Sequence, residues 1–226
     1  MSKLVFDIET IGEDFDLIDE TTQEILTKYD DDIEKVKNGL GFSPLTGQIV
    51  CIGVLDVEKN RGALYYQAPD DDSSFAKASE DEASNFKFIV ASEKEMLEKF
   101  WQGITAYDQV VSFNGRAFDA PFLAIRSAIH SVRPSKNLIP YRYATDTNHI
   151  DLYDQLTFYG SSRSKGNLHM FCRAFGIKSP KADGVTGDDV TRLFKEKKYL
   201  DIARYNVGDL KATAELYKYW NEFIRF

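Results

Sequence analysis

The chain has 226 residues, 43% of them hydrophobic, and a formal net charge of −8; this suffices for one sizeable core, so a single domain over 1–226 with small insertions is expected. Two distant cysteines, Cys51 and Cys172, with no clustered histidines, exclude a disulfide framework and a zinc site and read as buried free thiols. A strand within the first few residues leaves no room for a secretory leader, and no run is long and apolar enough to span a bilayer, so no membrane association and a reducing, cytoplasmic setting are expected.

The first predicted element is the strand Leu4-Val5-Phe6-Asp7-Ile8-Glu9-Thr10. Alternate side chains of a strand share a face, so Asp7 and Glu9 point the same way. Two neighbouring carboxylates repel unless they are well solvated or a hard, oxygen-seeking cation such as Mg²⁺ or Mn²⁺ sits between them. Taken alone, Asp-x-Glu reads equally as the polar face of an edge strand. An acidic helical insertion follows at about 13–40, with apolar residues at Leu17, Ile25, Leu26, Ile33 and Val36 and an end at Gly39 and Gly41.

Gln48 to Val57 is a continuous apolar run and predicts a central strand. Gly62 to Gln67 and Phe86 to Val90 are expected to add antiparallel neighbours in a meander. Between them lies a low-complexity acidic stretch at about 70–85, with little to bury, read as a mobile loop outside the working parts. Ser92 and Glu95 form a capping box that opens a helix through Met96, Leu97, Phe100 and Trp101.

Gln109 to Asn114 predicts a strand broken by Gly115, after which Asp119 can cap a helix that accepts Pro121 in its first turn. An aspartate just beyond a strand's C-terminal end also occupies the usual ligand crevice of an open α/β sheet. Residues 1–110 hold 24 acidic against 10 basic residues, whereas 111–181 holds 10 basic, including Arg116, Arg126, Arg133, Lys136, Arg142, Arg163 and Lys165, against 4 acidic. Interleaved with Tyr141, Tyr143 and Phe158, such a lobe can guide a single strand. From charge alone it is as well read as a solvated face. The last helix begins around Tyr199 and sets Tyr205 and Asp209 four residues apart on one inward face.

Asp7-x-Glu9 on an N-terminal strand, Asn114-x-x-x-Phe118-Asp119 at a strand-helix junction and Tyr205-x-x-x-Asp209 on a C-terminal helix, in that order, resemble the three exonuclease motifs of the DEDD superfamily. The tyrosine resembles the DEDDy branch, closest to stand-alone PolB-like exonucleases and the proofreading domain of family-B DNA polymerases. The resemblance implies an α/β, RNase H-like fold: a mixed central β-sheet flanked by α-helices. It also implies a 3′–5′ exonuclease acting on single-stranded nucleic acid with a free 3′ end, DNA favoured over RNA, in repair or proofreading. Asp7, Glu9, Asp119 and Asp209 would hold two divalent cations, Mg²⁺ or Mn²⁺, with Asp7 shared, Glu9 and Asp209 completing the site of the attacking water, and Asp119 serving the second ion. Tyr205 would orient that water, since a phenol with a pKa near 10 is a poor base at neutral pH. Thr10, Asn114 and Phe118 would contact the terminal nucleotides. Asp151 would support or cap, with no metal, and Leu168, after Asn167, is expected to pack in the core. An exoribonuclease of the same fold and a catalytically silent nucleic-acid-binding module are the alternatives. Only 17 residues follow Asp209, so no polymerase module is expected.

Overall fold

The computed structural model describes residues 1–29, 32–68, 85–143, 147–162, 166–179 and 187–225. Apart from Asn85, the acidic stretch at 70–85 lies outside the described residues, as do Arg163, Lys165 and Lys181. Six strands, β1 (Lys3–Gly12), β2 (Gly47–Asp56), β3 (Arg61–Tyr66), β4 (Phe86–Val90), β5 (Gln109–Ser112) and β6 (His149–Asp151), form one sheet in the order β4-β3-β2-β1-β5-β6. The described helices are α1 (Glu20–Thr27), α2 (Ile33–Gly39), α3 (Glu93–Gly103), α4 (Asp119–Ile129), α5 (Leu152–Leu156), α6 (Leu168–Phe175), α7 (Val190–Lys195) and α8 (Tyr199–Phe223). This mixed sheet flanked by helices is the RNase H-like α/β fold that the motif order implies.

Two cores explain the arrangement. On one face Leu4, Phe6 and Ile8 of β1 and Ile49 and Ile52 of β2 meet Met96, Leu97, Phe100 and Trp101 of α3 and Phe122 and Leu123 of α4. On the other, Val5, Val50 and Leu55 meet Ile202, Ala203, Val207, Leu210 and Leu216 of α8. The period of two along β1 therefore turns Asp7 and Glu9 toward α8, the side that Val5 faces. Burial on both faces is also why β2 reads as an unbroken apolar run.

The meander is corrected at its last step. β3 pairs antiparallel with β2, but β4 lies parallel to β3. A hairpin cannot join parallel strands; the stretch from Gln67 to Asn85 is long enough for the crossover that a parallel partner needs. The capping box of α3 forms as expected: the Glu95 amide donates to Ser92 Oγ, while the Ser92 amide donates to Glu95 Oε2 at 2.8 Å. The insertion folds as α1 and α2, and both cysteines are free and buried. Leu168 packs partly buried against the α8-side core. Among the described residues, no helix is long and apolar enough to cross a membrane.

Candidate active site

β1 delivers two acids and α8 the third. Asp7, Glu9 and Asp209 each present a carboxylate oxygen within 4.8 Å of one another. α8 can lie this close because Asp7 stands opposite Gly53 of β2. A Cβ at Gly53 would fall 1.8 Å from Asn206 Oδ1 and 2.7 Å from Leu210 Cδ1, so any side chain there would displace the Asn206 amide and crowd Leu210. Next to this contact the β1–β2 register shifts between Glu9 and Thr10, a bulge of the kind that re-aims side chains beside functional sites.

Asp119 reaches the cluster by a different route from the cap expected of it. Phe118, without a side-chain cap bond, occupies the N-cap position of α4 and Asp119 is the first helical residue. β5 ends at Ser112, so the β1–β5 ladder stops at the Val5–Val111 pair; the Ile8 N–H then donates to Asp119 Oδ1 at 3.1 Å. An unpaired backbone donor beyond the ladder thus becomes the anchor for a buried carboxylate. Gly115 makes room on the way, since a Cβ there would meet Ser112 Oγ at 2.3 Å.

Electrostatically Asp7, Glu9 and Asp119 are under strain. Burial, followed by the charges of Asp119, Asp209 and Glu9, holds the Asp7 carboxyl well above its ordinary range. Burial and Asp209 do the same to Glu9. Burial pushes Asp119 up to about 7, against hydrogen bonds from its own amide and from Ile8. Among the described residues, no Lys, Arg or His lies in salt-bridge contact with Asp7, Glu9 or Asp119. The side chain that relieves Asp7 and Glu9 is neutral: Asn206 Nδ2 donates to Asp7 Oδ2 at 2.7 Å and to Glu9 Oε1 at 3.1 Å. Asn206 is fully buried, and its Oδ1 has no partner. The sequence reading passed over Asn206, whose only signal is its place between Tyr205 and Asp209 opposite a glycine inside an apolar strand. Donors that are all carboxylate oxygens, raised in pKa and relieved by one amide, fit hard divalent cations.

Tyr205 sits half-buried one turn before Asp209, and its hydroxyl donates to that carboxylate. Burial first, then the charges of Asp209 and Glu9, push the phenol far above its ordinary value, so it stays protonated at neutral pH and acts as a donor.

Of the three residues expected to contact nucleotides, Thr10 and Phe118 line a cleft beside Glu9, and Asn114 does not. The cleft, of about 460 Å³, is lined by Ile8, Glu9, Thr10, Phe42 and Phe118. Thr10 Oγ1 donates to the Gly41 carbonyl at 2.7 Å, tying the helical insertion to β1. Phe42, absent from the sequence reading, comes from that insertion; its ring is 67% exposed and stands edge-on to Phe118 at 6.4 Å. Asn114 ends the β5 segment with φ of 64°, a left-handed conformation that Asn tolerates better than most residues. Asp151 holds it there. Its two carboxylate oxygens accept from the Asn114 and Arg116 amides, both at 2.9 Å, while it also caps α5 through Tyr153 N–H, as its expected supporting role requires. Behind it, burial lowers the His149 pKa; the Nδ1–H donates to the Leu138 carbonyl at 2.7 Å, and Nε2 accepts from Ser112 Oγ at 2.8 Å.

The basic lobe is corrected in part. Arg126 is buried and forks onto Glu93, with Nη2 to Oε2 at 2.7 Å. Arg116 and Arg142 both pair with Asp154, at 3.3 and 2.6 Å, and Lys136 Nζ donates to the Tyr107 carbonyl. These side chains hold the fold together, as basic residues near acidic partners commonly do, and Arg126 has no access to a strand.

A family described as a predicted 3′-5′ exonuclease related to the exonuclease domain of PolB matches residues 74–223. The chain belongs to that family. The matched span contains Asp119, Tyr205 and Asp209 and begins after Asp7 and Glu9, which the coordinates bring beside Asp209. The fold is similar to the family B DNA polymerase of the hyperthermophilic archaeon Pyrobaculum calidifontis, with a TM-score of 0.61 at 16% identity. That match covers 97% of this chain and 24% of the polymerase, so the chain spans about a quarter of its relative's length.

Proposed function

We propose that the chain is a divalent-cation-dependent exonuclease that removes nucleotides one at a time from the 3′ end of single-stranded DNA. The observation that carries this is the convergence of Asp7, Glu9 and Asp209 within 4.8 Å, with Asp119 buried beside them and Tyr205 bonded to Asp209. The preference for DNA is supported by the DNA polymerase whose fold the chain shares and by the PolB exonuclease domain to which its family is related.

Asp7, Glu9 and Asp209 would hold one cation, and Asp7 with Asp119 a second, Mg²⁺ or Mn²⁺ in each case. When bound, such a pair lowers the pKa of water and neutralises charge on the attacking and leaving oxygens of a phosphodiester. The protein's own part is positioning. The Tyr205 hydroxyl, kept protonated and aimed by Asp209, orients water beside the scissile phosphate. Phe118 and Phe42 offer two rings at the cleft mouth against which a terminal base can stack. Thr10, its proton committed to Gly41, presents an acceptor there, and Asn114, fixed by Asp151 outside the lining of that cleft, would contact the strand beyond it. A strand bound in this way is held by backbone and stacking, so little sequence preference is expected in the cleft itself.

The test uses labelled single-stranded DNA and RNA of one sequence, with free and blocked 3′ ends, incubated with Mg²⁺, Mn²⁺ or chelator. Laddering from the free 3′ end of DNA that chelator abolishes is the expected result. Faster laddering of RNA makes the enzyme an exoribonuclease, and cleavage of the blocked strand makes it an endonuclease. Tyr205→Phe should slow turnover at least about tenfold with single-strand binding unchanged.

A further inference from the structure

The second large cavity lies at the other end of β5, away from the acids. It has a volume of about 420 Å³ and is walled by Tyr143, Phe158, Tyr159 and Trp220, with Gln109 of β5 and Arg225 among its lining. That size suits a small planar ligand. The wall itself is unusual. Phe158 and Tyr159 are consecutive aromatic residues with φ of 50° and 56°, a strained backbone state for bulky side chains. Phe158 nonetheless leaves 52% of its surface exposed, so core burial does not repay its strain, and Tyr143, with its ring 5.3 Å from that of Tyr159, leaves 58% exposed.

Gln109 adds a directional demand. Its Nε2 donates to the Thr147 carbonyl at 2.9 Å, which fixes the orientation of the amide. The other atom, Oε1, is buried and has no partner. A buried acceptor without a donor is costly, and here it belongs to a residue that lines an aromatic cavity. Charge completes the picture: in a chain of net charge −8, none of the described lining residues is acidic, while Arg225 lies over the Trp220 ring at 5.7 Å. The features together specify a flat π-face, an N–H donor on its edge, and a nearby anion.

We propose that this cavity is a second nucleotide site, which stacks an unpaired base against Phe158, Tyr159 and Tyr143 and receives that base's exocyclic amino group at Gln109 Oε1. Cytosine and adenine satisfy that acceptor with the amino group; uracil and thymine offer on that edge a ring N3–H flanked by two carbonyl oxygens, which bring acceptors beside Oε1, and are disfavoured. Arg225 faces the phosphate. The base belongs either to a nucleotide upstream of the 3′ end of a bound strand or to a free mononucleotide. The inference rests on the proposed nucleic-acid substrate and deepens it, because it gives the protein a base preference remote from the cutting site.

The experiment measures binding in chelator to an Asp209→Asn protein, so that nothing is cut, with dC and dU oligonucleotides of equal length and with dCMP and dUMP. The expected result is that the dC strand binds about tenfold more tightly than the dU strand. Phe158→Gly should cut dC binding about tenfold while keeping or raising the Tm, because glycine relieves the backbone, and Gln109→Leu should erase the difference between dC and dU. Discrimination confined to oligonucleotides assigns the site to the strand, and equal discrimination by mononucleotides assigns it to a free nucleotide. Equal binding of dC and dU, or a Phe158→Gly protein with lowered Tm and unaltered affinity, overturns the proposal while leaving the exonuclease reading intact. Exonuclease activity of the wild-type protein, measured separately, fails only if that first reading is wrong.

Discussion

Two of the buried clusters of titratable side chains among the described residues are built on opposite plans. At Glu93, the first residue of α3, one carboxylate receives the Ile49 amide at 2.8 Å, Arg126 through Nε and Nη2 at 2.8 and 2.7 Å, and His130 Nε2 at 2.7 Å. Although burial acts against it, those hydrogen bonds hold the Glu93 carboxyl below its ordinary value. At the α8 end of the sheet, Asp7 and Glu9 share one neutral amide and Asp119 leans on backbone N–H groups, and the carboxyls of all three are pushed upward. A compensated buried acid joins β2, α3 and α4 and asks for nothing further. Three buried acids raised together are stored repulsion, the mark of a place where a ligand acts.

The comparison breaks most visibly at Asp209. Asp209→Asn should cut turnover by about 10³-fold or more, and Asp7→Asn should do the same while raising the Tm measured in chelator, because it removes a carboxylate that Asp119, Asp209 and Glu9 all repel. Calorimetry and single-strand hydrolysis on the same preparation check both signs. At the other cluster, Arg126→Met should cost about 3–5 kcal/mol in denaturant unfolding by stranding Glu93, with turnover per folded molecule unchanged. A smaller effect is expected at the amide: Asn206→Ala should weaken Mn²⁺ binding, followed by calorimetric titration, by about 10–100-fold.

The smallest effect is the pH profile of stability, in which the two clusters carry opposite signs. Asp119, whose folded pKa of about 7 exceeds its unfolded value, adds stability below the ordinary aspartate range that is lost as pH rises toward 7; Asp7 and Glu9 act in the same direction. Glu93, held low, adds stability above the ordinary glutamate range that is lost as pH falls through its folded value. In chelator the Tm should therefore peak on the acid side of neutrality and decline by a few degrees toward pH 7. Mn²⁺ should flatten that decline, and an unchanged slope would mean that the acids do not bind the ion.

What was legible in the chain divides along the same line. Periodicity gave Asp7 and Glu9 one face of a strand and Tyr205 and Asp209 one face of a helix; that these and Asp119 belong to one centre came only from their resemblance to the exonuclease motifs, while the helical insertion was readable from its apolar spacing and α3 from its capping box. Four features needed coordinates, each because it depends on long-range partners. The parallel placement of β4 rests on a crossover whose length permits either direction. Arg126 looked like part of a basic surface until Glu93, 33 residues earlier, was found against it. Asn206 and Phe42 carry no motif letter; one is defined by the acids that it bridges and the other by the ring that it faces.

Gly53 deserves a last consequence. It belongs to no motif and touches no substrate, yet the approach of α8 to β1 passes over its bare Cα. A single methyl group at that point would displace the Asn206 amide from between Asp7 and Glu9 while every residue of the three motifs stayed in place. Competence in such a chain thus hangs on a position that no motif names, and a scan for the motif residues alone would score an impaired copy as intact.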